Sequence, residues 1–190
     1  AQVDARAELQ GGHAALYRMQ LASEDLRRER FESALVETFP GARLRGLKVG
    51  ELSNIEKPVR YEYDAFVPAF ATRDSERLRV PLDTGLHMAV RYIRTFSRQY
   101  PLEVGPRRVE IREMAVVPPR GFQVEHLPSS ATIESRFGRL ELEIEKRGGR
   151  ILIERSFTLD AHRVLPEDYV DFAAFCRQVD AALDGDIVLG

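Results

Sequence analysis

Residues 140–159 carry the pattern that most restricts the fold. Leu140, Leu142 and Ile144 alternate with Glu141, Glu143 and Glu145, Gly148-Gly149 follows, and Ile151, Ile153, Phe157 and Leu159 return with the same period. Successive side chains of a strand point to opposite faces, so this alternation describes two strands with one apolar and one charged side. Paired glycines supply the positive φ angles of a tight hairpin turn. Such a hairpin belongs to an antiparallel sheet that is covered on one face and solvated on the other. The three glutamates are then a solvated row, with Arg150 and Arg155 of the return strand as cross-strand partners.

The same period recurs along the chain. Val59, Tyr61, Tyr63, Ala65 and Val67 fall on one face, opposed by Arg60, Glu62 and Asp64, until Pro68 ends the strand. Leu78, Val80 and Leu82 predict the next strand, while Leu86, Met88, Val90 and Tyr92 fit either a strand or a short helix. Val109 and Ile111 begin a strand whose apolar phase shifts at Met114 and Val116, which predicts a bulge. Phe122 to Leu127 is a short strand closed by Pro128, and Ile187-Val188-Leu189 a final one. The first residues read as a hairpin, with Val3 to Leu9 going out, Gly11-Gly12 turning, and Tyr17, Met19 and Leu21 returning.

Two segments change to a helical period. Ser23 is a good N-cap, Glu24 and Asp25 suit the positive end of the helix dipole, and Leu26, Phe31, Leu35 and Phe39 form a stripe that Pro40-Gly41 stops. Pro166 at a first helical position opens the second, with Tyr169, Phe172, Cys176, Val179 and Leu183 facing inward and Gly185 ending it. The predicted fold class is mainly β: antiparallel β-sandwich architecture with two accessory helices, at about 23–39 and 166–183. The expected organisation is a β-rich half with one helix (1–100) and a sandwich half with the C-terminal helix (101–190), or one continuous unit over 1–190.

Composition narrows the function classes. With 44% hydrophobic and 31% charged residues the chain can bury a core, and no run approaches the ~18 apolar residues of a membrane span. A net charge of −2 gives no excess positive field for nucleic acid. A single cysteine forms no internal disulfide. The chain opens Ala1-Gln2-Val3 without an initiator Met, as a mature product or an excised segment would.

Few residues have the types and spacing that chemistry needs. Cys176 is the one thiol, and Phe172, Phe175 and Val179 around it predict a desolvated packing residue rather than a nucleophile. His13, His87, His126 and His162 are far apart, and Asp160 with His162 lacks a third ligand, so no metal site is expected. His162 is expected to anchor the loop before the last helix. Glu141, Glu143 and Asp160 could serve a carboxylate-dependent hydrolase only across a cleft. The glycines form no phosphate-cradling loop, so no cofactor is expected. Tyr61, Tyr63, Phe66 and Phe70 are the candidate binding surface, an aromatic strand for a glycan or peptide.

A set of turn and packing motifs extends over nearly the whole chain: Phe39-Pro40-Gly41-Ala42, Leu52-Ser53-Asn54-Ile55-Glu56-Lys57-Pro58-Val59, Arg98-x-x-Pro101-Leu102, Val117-Pro118-Pro119-Arg120-Gly121-Phe122-x-Val124-x-x-Leu127-Pro128, and Leu165-Pro166-Glu167-Asp168-Tyr169-x-x-Phe172-x-x-Phe175-x-x-x-Val179-Asp180-x-Ala182. These resemble the β-rich region that follows the catalytic core in large bacterial transglutaminase-like proteins. The resemblance implies a non-catalytic accessory domain, because that family's catalytic cysteine, histidine and aspartate lie in the core. Cys176 does not match the core's motif. It also implies a periplasmic or cell-surface setting, and a transglutaminase-like core in cis or another envelope protein as partner.

Overall fold

The computed structural model describes residues 2–82 and 86–190. Its largest element is a seven-stranded antiparallel sheet. It runs β2 (Arg43–Val49), β3 (Val59–Phe66), β1 (Gln2–Gly11), β7 (Arg108–Val116), β11 (Arg150–Leu159), β10 (Gly138–Arg147) and β9 (Ala131–Ser135) from edge to edge. A second antiparallel sheet orders β4 (Thr72–Asp74), β5 (Arg77–Pro81), β13 (Asp186–Leu189) and β8 (Val124–His126). A short ribbon joins β6 (Leu102–Glu103) to β12 (Arg163–Val164). The helices are α1 (Gly12–Leu21), α2 (Glu24–Thr38), α3 (Met88–Tyr92) and α4 (Tyr169–Leu183), the last preceded by one 3-10 turn at Pro166–Asp168. The architecture is thus mainly β and antiparallel, and strands from both ends of the chain meet in both sheets.

The hairpin over 138–159 forms as its alternation requires. Leu140, Leu142, Ile151, Ile153, Phe157 and Leu159 are buried, and Gly148 and Gly149 take φ of 57° and 77°. Each large apolar side chain on this inner face contributes roughly 1.5–3 kcal/mol of burial. The helix over 24–38 also forms, with Ser23 at its N-cap and Phe31 and Leu35 inward, but Leu26 stays exposed. In the C-terminal helix all five expected residues are buried, and Phe172 meets Phe137 and Tyr92 edge-on. His162 ties down its loop as expected: Nδ1 lies 3.1 Å from the Gly105 carbonyl, and its own carbonyl accepts the Val104 N–H at 2.9 Å.

Three local expectations are corrected. The N-terminal segment is a strand followed by a helix, not a hairpin. β1 pairs with β3 on one edge and β7 on the other, so no edge remains for a returning strand. Gly11, at φ 65°, turns the chain where a Cβ would lie 2.1 Å from the Arg107 carbonyl oxygen. Ala14, Tyr17 and Leu21 then face inward at helical spacing, and Met19 is 71% exposed.

The second correction concerns β7. No bulge interrupts it: its register is unbroken against both β1 and β11. Met114 is in phase with Arg108, Glu110 and Arg112, so the inner face of the strand begins charged and ends apolar. Irregular register lies elsewhere, between Leu44 and Gly46 of β2 and between Val188 and Leu189 of β13. The third correction is Arg155. It belongs to the inner row of β11 with Ile153 and Phe157, and is not a partner for the outer glutamates.

The segment that fits either period, 86–92, folds as a helical turn. His87 is left-handed at φ 43°, and the Asp180 carboxylate of α4 accepts the backbone N–H groups of Met88 (2.7 Å) and Ala89 (2.8 Å). That contact satisfies two of the donors a helix start leaves open. Met88 and Tyr92 turn into the core and Val90 points to solvent.

Candidate binding cleft and its charged floor

The central strand of the large sheet puts ionisable groups where its neighbours put aliphatic ones. Glu110 is paired in register with Leu9 on one side and Phe157 on the other, and its side chain has no solvent exposure. Arg108 Nη2 donates to Glu110 Oε2 at 2.7 Å, and Arg112 Nε lies 2.5 Å from Oε1. Arg155 Nη2 donates to the same Oε1 from β11. From α1, His13 Nδ1 sits 3.4 Å from Oε2. Three guanidinium groups therefore surround one carboxylate inside the protein.

Burial alone would push the Glu110 carboxyl up. The charge on Arg112, the hydrogen bond with His13, and the charges on Arg155 and Arg108 outweigh it and hold the group well below the usual carboxylate range. A carboxylate held ionised in this way is a poor proton donor near neutral pH. Its chemistry is that of a counter-ion.

Above this floor a cleft of about 150 Å³ opens between α2 and the sheet. Ala5 and Ala7 are small residues of β1 that leave the space. Tyr61, Tyr63 and Phe31 form one wall, with Phe31 5.3 Å from Tyr61 and 5.2 Å from Tyr63 between ring centroids. Tyr17 stacks on Tyr61 at 5.5 Å. Burial, then the neighbouring Tyr17, raise the Tyr61 hydroxyl well above the ordinary tyrosine value, so it stays protonated. Arg112 and Arg155 reach the cleft from the floor. Arg30, Ala34 and Thr38 recur every fourth residue on the exposed edge of α2 and form the outer lip.

The predicted aromatic surface is therefore divided. Tyr61, Tyr63 and Phe70 line the cleft, Tyr61 and Phe70 being buried and Tyr63 half-buried. Phe66 lies on the other face of the strand, 41% exposed, since an odd spacing reverses the side. The four do not make one exposed patch. Cys176 has no solvent exposure, and burial with the Asp180 charge pushes its thiol up to about 12. Of the other candidates, Glu141 is solvent-facing and paired with Arg139 at 2.6 Å, and Asp160 with Arg107 at 2.7 Å. Among the described residues no three His, Cys, Asp or Glu side chains gather as a metal site, and no helix is long and apolar enough to cross a membrane.

Sequence reasoning missed Arg108, Glu110, Arg112 and the inward position of Arg155. The available signal was phase: Arg108-x-Glu110-x-Arg112-x-Met114 keeps one period throughout, as does Ile153-x-Arg155-x-Phe157.

A family model matches residues 85–189, more than half of the chain, and is described as DUF3858, a domain of unknown function with a solved structure. The chain belongs to the DUF3858 family. The matched segment contributes β7 and β11, and so all four charged residues of the floor; α1, α2, β1 and β3 lie outside it. No curated protein matches the sequence. Among solved structures, a putative protease from Parabacteroides distasonis aligns at 14% identity and a TM-score of 0.46, covering 81% of this chain and 24% of that one. The chain thus spans about a quarter of that longer protein.

Proposed function

We propose that this DUF3858 chain is a non-catalytic accessory domain that binds rather than reacts, serving a transglutaminase-like core of the bacterial envelope. The reading is supported most by the state of Glu110. It is fully buried against the Arg112 and Arg155 side chains that line the cleft, and its oxygens are engaged by Arg108, Arg112 and Arg155, which hold it ionised. The buried thiol of Cys176 supports the same view, since a thiolate is the reactive form and desolvation disfavours it. The association with a transglutaminase-like core and the envelope setting rest on the motif resemblance.

The glycan- or peptide-binding alternative is favoured in one respect, because Tyr61, Tyr63 and Phe70 do line a cleft. It becomes a binding site inside the accessory domain rather than an exposed strand surface.

The test compares three preparations on glutaminyl and peptide amide substrates: the catalytic core alone, the core joined to this domain, and this domain alone. The expected result is a change in the core's kcat/KM when the domain is present and no turnover by the domain alone. Turnover by the domain alone that disappears in Cys176→Ala or Glu110→Gln would overturn the proposal.

A further inference from the structure

Among the described residues the two most exposed Phe or Tyr side chains are Phe96, at 96%, and Tyr100, at 77%. Both belong to residues 86–102, a stretch that contains no aspartate or glutamate and also exposes Val90. The same stretch carries Arg91, Arg94 and Arg98, and none of the three meets an acid among the described residues. Contacts to α4 draw these side chains to one place. Tyr92 of α3 packs on Phe172 at 5.8 Å, the Tyr169 hydroxyl donates to the Thr95 carbonyl at 2.9 Å, and the Arg98 guanidinium lies 5.7 Å from the Tyr169 ring centroid. The stretch therefore wraps the first turn of α4, where Val170 is also exposed. Thr95 Oγ1 donates to the Ser97 carbonyl at 2.9 Å and Arg98 Nε to that of Tyr100 at 3.2 Å, so a tied loop presents the rings.

The acids of the elements packed against this loop are engaged elsewhere. Asp168 and Asp171 both reach Arg136, at 2.8 and 3.0 Å, and Glu103 reaches Arg163 at 3.2 Å. Asp180 accepts the Met88 and Ala89 N–H groups at the far end of α3. Glu167, in the turn before α4, is left without a base. The tip over residues 90–100 is thus basic and apolar together.

We infer that this tip docks the chain on an anionic phospholipid surface, with Phe96 and Tyr100 in the interface and Arg91, Arg94 and Arg98 on the lipid phosphates. A ring gains by leaving water at the headgroup boundary, and a guanidinium pairs with a phosphate in two parallel hydrogen bonds. Basic side chains near an anionic leaflet add to the attraction within a Debye length. The inference is independent of the accessory role, which is read from the activity of a core with and without the domain.

The experiment is co-sedimentation of the purified chain with vesicles of mixed phosphatidylglycerol and phosphatidylcholine, and with vesicles of phosphatidylcholine alone. Binding is expected to the first and not the second, and to weaken as salt is raised. Arg94→Gln should reduce the partition about fivefold and Phe96→Ser about tenfold, both from exposed positions that leave the urea midpoint unchanged. Met19→Ser, which removes an exposed apolar side chain from α1, should change nothing. Failure to sediment with either vesicle, equal sedimentation with both, or full binding by the Phe96→Ser, Arg94→Gln double variant would each overturn the proposal. Retention on immobilised polyglutamate without vesicle binding would overturn it too, and would assign the tip to an acidic protein.

Discussion

Arg112 of β7 and Arg155 of β11 are direct cross-strand neighbours on the inner face of the large sheet. Like charges so placed repel, and Arg155 is also withdrawn from water while Arg112 is half-buried. Glu110 lies one inner-face position along from Arg112 and touches both, so its carboxylate bridges the pair diagonally. Arg108 completes the ring from the other side. The middle of the sheet is therefore held by an ionic cluster flanked by aliphatic and aromatic side chains.

Removing the bridge should be the most damaging polar substitution in the chain. Glu110→Gln removes the charge that Arg108, Arg112 and Arg155 share, and loss of one partner of a buried ionic cluster typically costs about 3–5 kcal/mol. Urea unfolding of the variant should show that loss at an unchanged slope. A change under 1 kcal/mol would mean the arginines find water instead.

The same group sets an acid limit. Its folded-state pKa lies below the unfolded value of about 4.3, so its stabilisation is complete above that value. It is lost progressively as pH falls toward the folded-state pKa. Thermal melts between pH 7 and pH 3 should decline most steeply below about pH 4. Glu110→Gln, where it folds, should flatten that decline.

Cys176 should be chemically silent. With no exposure and a thiol pushed up to about 12, it is expected not to react with a thiol reagent at pH 8 in the native state and to react fully in denaturant. Stoichiometric labelling of the folded protein within seconds would contradict the buried position. Cys176→Ala should fold and cost roughly 1 kcal/mol, the order of one small buried group.

Asp180 should hold α3 against α4. Asp180→Ala removes the acceptor for the Met88 and Ala89 N–H groups and should cost about 1–2 kcal/mol, in the range of a lost helix cap. Hydrogen exchange localises the effect: the two amides should lose protection while those of β10 and β11 keep theirs. It should also lower the Cys176 pKa, because the Asp180 charge is one of the causes that raise it.

Much of the architecture is legible where hydrophobic phase and turn chemistry agree. The hairpin at 138–159 and the helix at 166–183 are examples, since their apolar residues repeat with one period and their ends carry glycine or proline signals. Misreading began where a polar residue occupies an inward position. At 108–116 the apolar residues Val109 and Ile111 suggest one phase and Met114 and Val116 the other, so a bulge is the local explanation. The strand is continuous because Glu110 is engaged by Arg108 and Arg112 of the same strand and by Arg155 of β11, and that pairing lets polar groups sit on the inner face. The segment 12–21 misleads for a different reason: Tyr17 and Leu21 belong to both a period of two and a helical period, and the exposed Met19 decides nothing until the edges of β1 are known to be occupied.

The amino-acid order by itself determined the mainly β class, the one-sided antiparallel hairpin, both long helices and the burial of Cys176, because each follows from periodicity or from immediate neighbours. Tertiary structure alone decided which strands adjoin, which face of β7 is inner, and that aromatic rings from α2 and β3 meet arginines from β7 and β11 around one cleft. Those features depend on pairings between residues more than a hundred positions apart, such as Asp4 with Ala115, and side-chain pattern along one segment carries no information about the partner that segment will meet.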